Sequence, residues 1–200
     1  IDLSSYPKEN MSVSNVRDLN KDALLRTKGI VTHITYAFGM APNGFYLTDE
    51  TGSIYVYSNQ ASTVKVGNEV ELVGKKTYYV LDKEQSDAKK YGYIGSCQVQ
   101  DIIIVSNDQN IHEVDFSWVE ETTVKDILDT PFSENITTSI YKVNALISKD
   151  DRGSFVNYYF NDLDGVTGSY TYTACSGADF AWLDEYDGNI LTIRGTEEGQ

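Results

Sequence analysis

The chain has 200 residues, with 16 Lys+Arg against 30 Asp+Glu for a formal charge of −14, and its 40% hydrophobic content includes 15 Tyr and 7 Phe. That length can bury one large core or two small ones, and the aromatic content excludes a disordered chain and favours β-structure. The acidity excludes a broad phosphate-neutralising surface, which needs clustered cations. Residues 1–108 hold 11 cationic and 13 acidic side chains (−2), and residues 109–200 hold 5 and 17 (−12). Only Lys75-Lys76 and Lys89-Lys90 offer local cation pairs, and both are expected to be solvated loop or strand-end residues. No apolar run is long enough for a transmembrane helix. A first residue other than Met fits a mature or trimmed product whose signal or anchor would be out of view.

Residues 1–12 are polar and form a lead-in, after which Val13, Val16 and Leu19 stand at helical spacing and predict a short helix or turn. Residues 28–36 alternate as a strand, with Ile30 and Ile34 on one side and Val31 and His33 on the other. Phe38-Gly39-Met40-Ala41-Pro42-Asn43-Gly44 is a loop by composition. Residues 44–57 then predict a hairpin turning at Asp49-Glu50-Thr51-Gly52, where Gly52 is expected to supply the positive φ. Alternation puts Ile54 and Val56 inward and Tyr55 and Tyr57 outward.

After a connection at 58–64 and a turn at Lys65-Val66-Gly67-Asn68, a strand runs from 69 to 81 with Val70 and Leu72 inward. A charged stretch over 82–90 leads to Tyr91-Gly92-Tyr93-Ile94 and a last strand at 101–105. Five strands, with a short helical or coil insertion between the third and fourth, fit a small closed β-barrel.

Ser106-Asn107-Asp108-Gln109-Asn110 reads as a polar linker dividing a unit 1–108 from a unit 109–200. Thr123 then resembles an N-cap, with Val124 and Ile127 at helical spacing. Strands are expected at 139–147, 155–161, 169–173 and 189–194.

The halves repeat. Val16-Arg17-Asp18-Leu19 answers Val124-Lys125-Asp126-Ile127 at an offset of 108, and Thr51-Gly52-Ser53 answers Thr167-Gly168-Ser169 at 116. Val66-Gly67-Asn68 through Gly74 answers Asp187-Gly188-Asn189 through Gly195 at 121. The second copy stops before any counterpart of residues 91–105.

The segments Thr27-Lys28-Gly29-Ile30-Val31-Thr32, Gly44–Asp49, Gly52–Tyr57 and Val66–Gly74 resemble the OB-fold domains of secreted or surface-anchored bacterial proteins, a nucleic-acid-binding-like family. The resemblance covers 27–105 well and 123–195 more weakly. It implies an all-β chain of two tandem OB-fold-like barrels, each with a short helix, the second incomplete at its C-terminal end. It also implies a cell-surface, secreted or lipoprotein setting. OB-folds bind oligonucleotides or oligosaccharides on the face of strands 2 and 3 and its flanking loops. Here that face would carry Tyr55 and Tyr57, flanked by Phe38, Met40 and Tyr91. Such rings stack bases or sugars; ordinary β-propensity or packing on a neighbour would equally place two Tyr there. In the second copy Tyr170 and Tyr172 take the inward register, so no platform is expected.

Catalytic signatures are absent: no Gly-x-Ser-x-Gly, no His-Glu-x-x-His and no phosphate-cradling glycine loop. Asn161-Asp162-Leu163-Asp164-Gly165 would put Phe160 and Thr171 at ligand positions of a calcium loop, so it is expected to be a solvated turn, and Asp184-Glu185-Tyr186-Asp187 an acidic loop. Cys97 and Cys175 lack zinc spacing and His33 and His112 stand alone, so no metal or cofactor is expected. Two buried thiols are the simpler reading, with a bridge joining the halves left open. These features point to a non-catalytic binding module for an oligosaccharide or a single-stranded nucleic acid. The alternatives are a structural or adhesion spacer with protein partners only, and a non-catalytic part of an extracellular nuclease. The acidic second half favours a glycan, a protein or no ligand.

Overall fold

Hydrophobic alternation closes the first half into a barrel. The computed structural model describes residues 2–36, 41–79, 96–129, 139–153, 156–163, 167–168 and 181–196. Five strands, β1 (Leu24–Tyr36), β2 (Pro42–Asp49), β3 (Gly52–Tyr57), β4 (Glu69–Tyr79) and β5 (Ser96–Asp108), form a closed barrel in the order β1-β2-β3-β5-β4. Closure relies on two long strands. β1 pairs with β4 through residues 24–30 and with β2 through residues 30–36, and β5 is shared in the same way between β4 and β3. Only β3 and β5 run parallel, matching Tyr55 to Gln98 and Val56 to Val99. A 3-10 turn, Asn59–Thr63, fills the link between β3 and β4.

The core holds Leu25, Val31, Phe45, Leu47, Ile54, Val56, Val70, Leu72, Cys97 and Val99, with Val13 and Val16 packed in from helix α1 (Val13–Arg17). Each such side chain contributes about 1.5–3 kcal/mol of burial. One expected parity fails. Val31 and Ile34 both pack on the core while His33 is exposed, because a bulge between Val31 and His33 inserts one residue and switches the face.

A helix of five residues cannot hold itself, so its stability is tertiary. Ser12 Oγ accepts from Asn15 N, Asp49 Oδ2 accepts from Val13 N at 2.8 Å, and Thr51 Oγ1 accepts from Ser14 N. At the other end Lys76 Nζ donates to the carbonyls of Val16, Arg17 and Leu19. Lys76 is wholly buried, and its ammonium lies 5.0 Å from the Tyr78 ring centroid. It is therefore a helix C-terminal cap, which overturns the expectation of a solvated pair at Lys75-Lys76; Lys89-Lys90 lies outside the described residues.

The hairpin turn is also built differently from expectation. Gly52 is absent from the positive-φ residues, and Asp49 Oδ1 makes the turn by accepting from Thr51 N, Thr51 Oγ1 and Gly52 N. Asp49 thus ties the hairpin and starts the helix with one carboxylate.

The described strands of the second half form an open sheet, not the expected second barrel. β7 (Ile140–Asp151) is central, flanked by β10 (Ile190–Thr196) on one side and β8 (Val156–Asn161) with β9 (Thr167–Gly168) on the other, and β6 (Glu121–Thr122) adds a short parallel pairing to β7. A strand equivalent to β5, which joins β3 to β4 in the barrel, is missing from this sheet among the described residues. The expected strand at 169–173 and Cys175 lie outside them, as does 91–94. Residues 106–108 belong to β5, paired with Glu69–Glu71, so the polar linker starts later than its composition suggests. Its first residues stay on the barrel: His112 N donates to Gly67 O, and Asp108 Oδ2 lies 3.0 Å from His112 Nε2. No strand pairing joins the two sheets among the described residues.

The repeat is visible in the fastenings. Helix α2 (Val124–Asp129) has Thr123 Oγ1 accepting from Asp126 N, and Asp162 accepting from Val124 N and Lys125 N at 2.9 Å each. Val124 therefore matches Val13, not Val16, and the first offset is 111. The Met11–Thr27 bridge and the Thr122–Val143 pair agree with that shift. Asp162, expected to be solvated, is buried in this cap. Gly67 and Gly188 both take positive φ, +91° and +77°. Val31 bonds Gly67 and Asn68 just as Ile147 bonds Gly188 and Asn189.

Candidate ligand face

Tyr55 and Tyr57 leave the barrel on the outer side, opposite the fully buried Ile54 and Val56, as alternation requires. Their settings differ. Tyr57 is 50% exposed at the end of β3. Tyr55 is half-buried and lies across β2: a Cβ built on Gly44 would fall 2.2 Å from its hydroxyl oxygen and 2.5 Å from Cζ. Gly44 is thus required because the ring passes directly over its Cα. The Tyr55 hydroxyl reaches Thr35 Oγ1 on β1 at 2.8 Å, and Thr35 Oγ1 lies 2.9 Å from Asn43 Oδ1. Thr35 has one proton and Asn43 Oδ1 can only accept, so Thr35 donates to Asn43 and Tyr55 donates to Thr35. The ring is fixed at both ends.

Register extends this into a row. His33 pairs with Tyr46, Tyr46 with Tyr55, Tyr55 with Gln98, and Gln98 with Thr77, crossing all five strands on the outer face. The Tyr46 and Tyr55 rings are 5.2 Å apart and tilted by 43°, and His33 to Tyr46 is 6.2 Å. Such separations are within the range of favourable ring contacts. Tyr46 itself is only 4% exposed, so the surfaces offered to a ligand are Tyr57, His33 and the upper side of Tyr55. Sequence reasoning missed Tyr46, although it sits between the inward Phe45 and Leu47 and so faces out. It also missed Gly44, whose need appears only once the ring lies over it. Phe38 and Tyr91 lie outside the described residues.

The face is electrically quiet. The strands of the barrel carry four Lys and Arg, and all are engaged: Arg26 with Glu71 at 2.7 Å, Lys28 with Glu69 at 2.7 Å, Lys75 with Asp101 at 2.8 Å, and Lys76 in the helix cap. The hydrogen bond from Arg26 holds the Glu71 carboxyl below its ordinary range, and the bonds from Glu69 and Asp101 hold Lys28 and Lys75 above theirs.

In the second unit, Asp184 accepts from Tyr158 OH at 2.6 Å and from Lys149 Nζ at 3.0 Å, which holds its carboxyl below the usual range. Asp187 accepts from Lys149 N. The expected acidic loop is thus a 3-10 turn, Ala181–Tyr186, tied to β7 and β8. Among the described residues no group of three His, Cys, Asp or Glu could hold a metal ion, and no helix is long and apolar enough to cross a membrane. No protein-family model matches the chain, and no curated protein matches it.

Proposed function

We propose that the chain is a non-catalytic binding module that holds a linear ligand, an oligosaccharide or a single-stranded nucleic acid, on the outer face of β1–β3. The observation that carries the reading is the fixed ring of Tyr55 beside exposed Tyr57, on the strands that OB-folds use for such ligands. The strand order β1-β2-β3-β5-β4 with its single parallel pair supports an OB-fold reading of the barrel. A bacterial surface or secreted setting follows from the sequence resemblance alone. A ring held before the ligand arrives loses little entropy on stacking, which favours affinity.

Titration with oligosaccharides and oligonucleotides at two salt concentrations tests this, comparing wild type with Tyr57→Ala and with Tyr55→Ala/Tyr57→Ala. Loss of about 1–3 kcal/mol per stacked ring is expected. Equal binding by all three proteins removes the face from consideration. A second reading, a spacer with protein contacts only, would be favoured by no binding of either ligand class.

A further inference from the structure

The outer row ends on two residues that no stacking role explains. Gln98 and Thr77 face outward by register with Tyr55, yet they are only 2% and 7% exposed. Among the described residues Gln98 Nε2 and Thr77 Oγ1 are buried without a hydrogen-bond partner. An unpaired buried polar atom is costly, and two on adjacent strands call for an explanation beyond packing. Substituting Leu and Val would remove both costs, so the polar atoms have a use that packing does not supply.

Resting on the binding reading above, we infer that Gln98 and Thr77 form the hydrogen-bonding end of the same face, and that they select an uncharged, hydroxyl-rich ligand, a neutral oligosaccharide. The amide is a donor and the threonine hydroxyl is both donor and acceptor. A sugar hydroxyl also gives and accepts, so one such group satisfies both atoms. A phosphate accepts only and brings charge, and it needs a cation. The four strand cations of the barrel are already engaged in ion pairs or in the helix cap. The chain as a whole carries −14, which further disfavours a polyanion. Rings for the faces of sugars and a buried amide–hydroxyl pair for their edges are complementary demands of one ligand class.

Neutral hexasaccharides (cellohexaose, maltohexaose, laminarihexaose, xylohexaose and mannohexaose) and the oligonucleotide dT12 are titrated into wild type, Gln98→Leu, Thr77→Val and Tyr57→Ala. Wild type is expected to bind at least one hexasaccharide more tightly than dT12. Gln98→Leu and Thr77→Val should each weaken that binding roughly tenfold, with Tm unchanged or raised, because each removes an unpartnered atom. Full affinity in both variants, with loss in Tyr57→Ala, overturns the inference and leaves the face reading standing. Tighter binding of dT12 than of every hexasaccharide does the same. A Tm lowered by several degrees in Gln98→Leu would show an internal structural role and overturn it as well. No binding of any probe by wild type overturns both.

Discussion

Lys76 is the most exacting test of how the barrel is held together. Replacing it with Met keeps the length and apolar stem of the side chain and removes only the ammonium. Three carbonyls at the end of α1, those of Val16, Arg17 and Leu19, then lose their donor. A hydrogen bond to a charged group is worth about 1.5–3 kcal/mol, and an orphaned buried acceptor costs about 1–3 kcal/mol. The variant recovers the desolvation cost of the ammonium, several kcal/mol in a buried site, and carbonyls at a helix end can recruit water. The balance is a loss of about 3 kcal/mol. For a chain of this size each kcal/mol shifts Tm by roughly 2–4 °C, so Tm should fall by about 6–12 °C. The comparison variant is Lys75→Met, whose partner Asp101 is exposed and whose removal should leave Tm almost unchanged. Guanidinium unfolding of both, read by tryptophan fluorescence and far-ultraviolet dichroism, separates the cases. A Lys76→Met loss below about 1 kcal/mol, on the scale of one ordinary hydrogen bond, would refute the cap, as would a loss equal to that of Lys75→Met.

Asp49→Ala removes a helix cap and a turn together and should cost about 2 kcal/mol by denaturant titration, at the upper end for a single cap. Gly52→Ala should be neutral or slightly stabilising, since an added Cβ meets nothing closer than 3.9 Å and φ is not positive. Gly44→Ala should cost about 1–3 kcal/mol, and most of that loss should vanish in Gly44→Ala/Tyr55→Ala, because the clash is with that ring. Glu71 has a lowered folded-state pKa, so its contribution is complete above its unfolded value and disappears as pH falls through the folded one. Glu71→Gln should therefore flatten the acid limb of stability below about pH 4.5, measured by urea titrations across that range.

The periodic parts of the fold were legible because period two in a half-buried strand is decided by neighbours in sequence. Ile54, Val56, Val70 and Leu72 are all in the core as alternation requires. What escaped depends on contacts distant in sequence. A lysine beside another lysine reads as solvated until a helix 60 residues earlier is placed over its ammonium. The bulge that turns His33 out leaves no mark in composition, and Gly52 looks like a turn glycine because the carboxylate doing that work sits three residues earlier. Open closure of the second sheet was foreshadowed by the missing counterpart of 91–105, yet the barrel pattern was extended across it. Of the site, Tyr55 and Tyr57 were readable by parity, whereas Gln98 and Thr77 are informative only through burial and missing partners.

Comparing the two units separates what the frame needs from what the face needs. The capping carboxylates Asp49 and Asp162, the positive-φ Gly67 and Gly188, and the paired bonds around Val31 and Ile147 occur in both, so they belong to the frame. The face does not repeat. Val31 pairs with Leu47 and Ile147 with Phe160, which fixes the offset between β2 and β8 at 113 and sets Asn157 in the place of Gly44. A side chain there forbids a ring lying flat across the strand, since even a Cβ at Gly44 would fall 2.2 Å from the Tyr55 hydroxyl. Thr171, not a tyrosine, stands where the repeat would place Tyr55. If the Gly44–Tyr55 arrangement served folding, the second unit should have kept it along with the caps. Its confinement to the first unit is what a ligand face on one barrel would produce. An Asn157→Gly substitution should accordingly give the second unit no affinity for any hexasaccharide, because the ring that would use the space is not there.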